Sequence, residues 1–178
     1  MSVFSEYQTD TIDLALDFYG YEDCPKNYEF GPSVRDNFVL HFVTKGKGVF
    51  HFNKKEIHLE AGDLFLLPKN KVTYYKADAE EPWSYYWIGI SGTKVSDFMR
   101  FSTLHEKGFL KKTEVETEKI GQFMERLVHK AEASKMTSHY QLHLLSQIYE
   151  LLFLISEVAP DIHRSHPSPT YQLYLTCK

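Results

Sequence analysis

Arg35, Tyr74, Trp83, Tyr85 and Trp87 are the side chains of this 178-residue sequence whose types suit work on a small polar molecule. Arginine offers a rigid fork of donors for paired hydroxyls or a carboxylate. Tyrosine adds a hydroxyl to an aromatic face, and the indole of tryptophan supplies flat area for stacking. Together these are the groups of carbohydrate recognition, where a ring's apolar face lies on an aromatic wall and its hydroxyls find donors. Aromatics make up 15% of the residues, and the plain alternative is that most of them fill a β-type core.

Other chemistries lack their residues. The sequence has no Ser-His-Asp elbow, no Walker loop and no Rossmann fingerprint. Gly46-Lys47-Gly48 reads as a hairpin turn, because no helix follows it to hold a phosphate. His41, His51 and His58 fall on three separate strand-like runs and read as surface or core residues. A net charge of −4 with no long basic run argues against nucleic-acid contact by this chain alone. Cys24 and Cys177 have no metal-type spacing and suit a reducing compartment. Glu6, Asp10, Asp13 and Asp17 make the N-terminus unlike a secretory leader, and no apolar run is long enough for a membrane span. A soluble, cytoplasmic protein with no membrane partner is expected.

The elements that must position the five residues begin with residues 38–68, where four β-type runs are separated by breaks of a few residues. Breaks so short exclude crossover helices, so neighbouring runs are expected to pair antiparallel. Gly46 and Gly48 are expected to supply positive φ in a turn, and Pro68 to close its strand. Gly31-Pro32 reads as a turn. Phe18, Tyr19 and Tyr21 read either as part of an edge strand or as an arm whose aromatics close a pocket. Strands follow at residues 72–76 and 83–90, around an acidic loop. In the last strand Trp83, Tyr85 and Trp87 share one face, and Ser84, Tyr86 and Ile88 the other.

From Ser91 the apolar period becomes helical. A short helix over residues 95–101 is expected to be capped by Ser91 or Thr93, and Thr113 with Glu116 has capping-box spacing for a longer one. A second long helix opens at Ser138 and runs to about Val158. Its apolar residues form two rows, Leu144, Ile148, Leu151 and Ile155, and Leu142, Leu145, Tyr149 and Leu152. The second row is either packed within the chain or offered to a second copy. Residues 160–178 read as a Pro/Ser linker and the first residues of a further domain.

The fold class is mainly β with C-terminal α: a cupin-like antiparallel β-barrel or jelly roll followed by a helical pair. The expected divisions are a ligand-binding barrel at 1–92, a helical subdomain at 93–159 and a linker from 160. Metal-dependent cupin enzymes acting on sugars are the alternative, and Gly62 and Pro68 have the spacing of their motif. However, Thr73 stands where a ligand His is expected, Asn70 replaces a Gly, and no His-x-His pair occurs. No metal and no cofactor are therefore expected.

The sequence resembles the sensor domain of AraC-family transcription regulators. The likeness is carried by residues 31–42, by Gly46-Lys47-Gly48, by residues 59–68 ending in Pro68, and by residues 83–88. It is most similar to the branch that controls uptake and breakdown of oligosaccharides such as raffinose, melibiose or cellobiose. The resemblance implies a non-enzymatic barrel with a sugar effector held by Arg35, Tyr74, Tyr85 and Trp87. It implies an N-terminal arm, with Tyr19, closing over the sugar. It also implies a homodimer through the two helices, for which Leu142, Leu145, Tyr149 and Leu152 are the candidates. DNA would be met only by a helix-turn-helix half beginning near Tyr171 and absent from this chain.

Overall fold

The computed structural model describes residues 3–6, 12–133 and 138–162. Nine strands come first: β1 (Val3–Glu6), β2 (Ala15–Asp23), β3 (Glu29–Val34), β4 (Phe38–Lys45), β5 (Lys47–Phe52), β6 (Lys55–Glu60), β7 (Leu64–Leu67), β8 (Val72–Ala77) and β9 (Ser84–Ser91). Two short helices, α1 (Val95–Met99) and α2 (Leu104–Lys107), lead to a two-residue strand, β10 (Phe109–Leu110). The long helices α3 (Thr117–Ala133) and α4 (Ser138–Val158) follow. The strands make two antiparallel sheets, ordered β1-β2-β9-β4-β7-β10 and β3-β8-β5-β6. They face each other as a jelly roll without closing into a continuous barrel.

Of the successive runs between residues 38 and 68, only β5 and β6 pair as chain neighbours, and β4 pairs with β7 instead. The expectation that each short break joins paired neighbours is corrected here. Gly46 has φ +68°, and a Cβ on it would sit 2.2 Å from the Pro82 carbonyl oxygen. The chain turns a corner there and β5 enters the other sheet. At Gly62, with φ +94°, it crosses back. Burial explains the division of strands. β7 is buried throughout and β4 over its first six residues, which suits the middle of a sheet covered on both faces. β5 and β6 alternate between buried and more exposed residues, and their sheet has one wet face.

Two cores result. Val39, Val43, Phe50, Leu59, Phe65, Tyr75, Trp83 and Tyr85 fill the space between the sheets. Leu40, Phe42, Leu64, Leu66, Tyr86 and Ile88 face outward from the larger sheet, against α3 and α4. The molecule thus has three layers: helices, a sheet buried on both sides, and a sheet with one face in water. Pro68 follows the last residue of β7, as expected.

Several local expectations are corrected. Gly48 does not have positive φ; a Cβ on it would meet the Trp83 ring at 2.5 Å, so close packing is what requires the glycine. Gly31-Pro32 is not a turn but a register shift inside β3. β2 is not an edge strand, since β1 and β9 flank it. α1 has no side-chain cap, and the Thr93 hydroxyl donates to Asp13 at 3.0 Å instead. α3 begins at Thr117, four residues beyond the Thr113 box. Buried Asp63 accounts for the delay: its Oδ1 accepts from the Lys112 amide at 3.0 Å, tying that turn to the sheet. The Thr117 hydroxyl then donates to the Gly62 carbonyl at 2.6 Å.

α4 opens at Ser138 and ends at Val158, as its pattern indicates. Leu144, Ile148, Leu151 and Ile155 are buried. The second row splits: Leu152 is buried within the chain, Leu145 is half-buried, and Leu142 and Tyr149 are exposed. Phe153, not in either row, is 65% exposed. The break expected at residues 134–137, and all but the first three residues of the linker expected from 160, lie outside the described residues.

Candidate functional site

A cavity of about 340 Å³ opens between the two sheets. Three strands build its floor. β4 contributes Val39 and His41, β8 contributes Tyr75, and β9 contributes Tyr85. Glu22 and Phe18 come from β2, two residues either side of Gly20 and so on one face. Phe30, Tyr28, Arg35 and Trp87 complete the wall.

The polar groups have distinct settings. The Arg35 guanidinium lies over Phe30, 4.7 Å from the ring centroid, and 5.8 Å from that of Phe18. Its Nε is buried without a protein partner. His41 stacks on Phe65 at 4.4 Å and meets the edge of Tyr85 at 5.0 Å. Its Nδ1 also has no protein partner. Burial, with the Arg35 charge adding, pushes His41 down to about 3, so it is neutral near pH 7. Burial raises the Glu22 carboxyl, and a hydrogen bond with Tyr85 opposes that. The Tyr75 and Tyr85 hydroxyls lie 3.2 Å apart, and burial raises both phenols. The site therefore pairs one guanidinium and one carboxylate with aromatic walls and a neutral imidazole. Such a lining hydrogen-bonds hydroxyls and stacks on a flat apolar face.

Of the six residues proposed from sequence for ligand contact, the cavity gathers Arg35, Tyr85 and Trp87. Tyr74 points to the outer face, where its hydroxyl donates to Glu29 Oε2 at 2.8 Å. Tyr75 takes the inward place: β8 buries Thr73, Tyr75 and Ala77. Lys76 shares the outward parity of Tyr74, and was the signal that could have set the face. Trp83 is on the same side of the sheet as Tyr85 but fully buried, stacked on Phe65 at 5.4 Å behind Tyr75 and Tyr85. Tyr19 is buried toward the helices, on the opposite face of β2 from Phe18. His41 and Glu22 also line the cavity, and neither stands out in the sequence: a lone His in an apolar strand and a carboxylate in an aromatic run have no motif.

Among the described residues no group of three His, Cys, Asp or Glu converges as metal ligands. His51 and His58 lie beside Glu56 on the smaller sheet, at 3.8 and 3.3 Å. No helix of the described residues is long and apolar enough to cross a membrane.

The profile of the AraC-like ligand binding domain matches residues 15–152. Three curated relatives extend that match. The Msm operon regulatory protein of Streptococcus mutans is 34% identical over 175 residues, 98% of this chain and 62% of that protein. The raffinose operon transcriptional regulatory protein RafR of Pediococcus pentosaceus is 40% identical over 100 residues, 54% of this chain and 36% of that protein. The lactose operon transcription activator of Staphylococcus xylosus is 28% identical over 161 residues, 90% of this chain and 57% of that protein. The chain spans less than two thirds of the length of each. An inter-sheet cavity, a helix layer packed behind it and a match across residues 15–152 agree: the chain belongs to the AraC-like ligand binding domain family.

Proposed function

We propose that this chain is the effector-binding and dimerisation part of an AraC-type transcriptional regulator of carbohydrate metabolism, with a sugar as effector. The observation that carries this reading is the cavity's lining. Trp87 offers an aromatic face at the rim, Arg35 lies over Phe30, and Arg35 Nε and His41 Nδ1 are buried polar atoms without a protein partner. An unmet buried polar atom costs about 1–3 kcal/mol, so hydroxyls that reach these atoms gain more than they would on a satisfied surface. The names of the relatives, two of them tied to raffinose and lactose operons, support a saccharide.

In this reading Arg35, Tyr85, Trp87, Glu22 and His41 contact the sugar, and residues 1–92 hold it. Residues 93–159 form the dimerisation layer, with exposed Leu142, Tyr149 and Phe153 facing a second copy. The protein is cytoplasmic and not an enzyme, and DNA contact belongs to the rest of the regulator. A thermal-shift screen of mono-, di- and trisaccharides tests it. A sugar at about 100 times its dissociation constant adds roughly 2.7 kcal/mol. A panel in which no saccharide raises the melting temperature overturns the reading.

A further inference from the structure

The cavity has a closed floor and an open rim. Val39, His41, Tyr75 and Tyr85 are buried, and behind them Phe65 and Trp83 are both 0% exposed. Glu22, Arg35 and Trp87 at the rim are only half-buried. A volume of about 340 Å³ is near the lower end of ligand pockets, about 300–1,000 Å³. Phe65 and Trp83, stacked at 5.4 Å, bar a second ring from going deeper. His41 lies at the floor of the cavity, and Glu22 and Arg35 stand at its rim.

We propose, resting on the sugar reading above, that this domain recognises its effector by a single terminal hexopyranose ring. That ring enters between the sheets, and the remaining units of an oligosaccharide stay outside the rim. The effector class is thus a set of saccharides that share an end ring, whatever their length. His41 determines specificity from the floor by hydrogen-bonding the leading edge of the ring.

Isothermal titration of this chain with two length series tests the proposal. Galactose, melibiose, raffinose and stachyose share a terminal galactosyl ring; glucose, maltose, maltotriose and maltotetraose share a glucosyl one. In the series that binds, the di-, tri- and tetrasaccharide are expected to agree in Kd within about threefold, and His41→Gln to weaken all three by a common factor of about tenfold or more. If His41→Gln fails to fold by circular dichroism, Trp87→Phe is titrated in its place, with the same common loss expected. Affinity that tightens about tenfold with each added ring, binding confined to one length, or a variant that loses nothing overturns the single-ring proposal while leaving the sugar reading intact. Binding in neither series removes both.

Discussion

The hydroxyl oxygens of Tyr75 and Tyr85 lie 3.2 Å apart, one from each sheet, and join β8 to β9 at the cavity floor. Tyr85→Phe leaves the Tyr75 hydroxyl buried and unmet, which is expected to cost about 1–3 kcal/mol. The Tyr75→Phe/Tyr85→Phe double variant is expected to lose less than the sum of the two single changes, since both partners are then gone. Urea denaturation of the four proteins measures this; additive losses would show that the pair is not coupled.

Trp87 is half-buried at the cavity and Trp83 is fully buried in the core behind it. Trp87→Ala is expected to abolish sugar-induced quenching of tryptophan fluorescence. Trp83 keeps its blue-shifted emission in that variant and reports that the fold survives. Unchanged quenching by sugar would remove Trp87 from the site.

His41 makes stability depend on pH in a direction fixed by its setting. Burial holds it at about 3 against an ordinary value of 6.5. Between those values the unfolded chain binds a proton that the native one does not. Stability from this residue is therefore full above pH 6.5 and is lost as pH falls toward 3, by at most about 1.4 kcal/mol per pH unit. His41→Gln is expected to flatten that part of the profile between pH 6.5 and 5, read as the difference between variant and parent in urea midpoints. Parallel profiles would contradict a buried neutral imidazole.

On α4, neighbouring leucines have opposite settings. Leu152→Ala empties a buried site and is expected to cost about 2–5 kcal/mol without changing the oligomeric state. Leu142→Glu or Phe153→Glu, at side chains 70% and 65% exposed, is expected to leave the melting temperature of the monomer nearly unchanged and to convert a dimer to monomers. Sedimentation velocity distinguishes the two classes, and a monomeric parent would end the dimer assignment.

Gly48→Ala places a methyl 2.5 Å from the Trp83 ring and the same distance from the Lys76 carbonyl oxygen. Backbone cannot yield as a side-chain tip does, so a loss of about 1–3 kcal/mol is expected. Thermal melting measures it, and a neutral result would mean that β5 can move away from Trp83.

The strands were legible because short β-type runs, Gly46, Gly62 and Pro68 punctuate the chain. Which sheet each strand joins was less so. The signal was present in burial pattern: the nearly unbroken apolar runs of β4 and β7 against the alternation of β5 and β6. Half of the proposed ligand residues lie at the cavity. Tyr74 was displaced by Tyr75 because adjacent residues on a strand face opposite ways, and the register shift in β3 hides the parity upstream. Trp83 was misplaced because sharing a face does not fix depth. The capping box at Thr113 was overruled by Asp63, which lies 49 residues before its partner Lys112 and which no local pattern reveals.

Tyr85 and Tyr86 are consecutive, yet one hydroxyl bonds Tyr75 in the interior while the other reaches Glu125 and His129 on α3, at 3.3 and 3.2 Å. The cavity floor and the helical layer are thus joined through adjacent residues of one strand, so the two faces of β9 answer to different neighbours, Tyr75 on one side and α3 on the other.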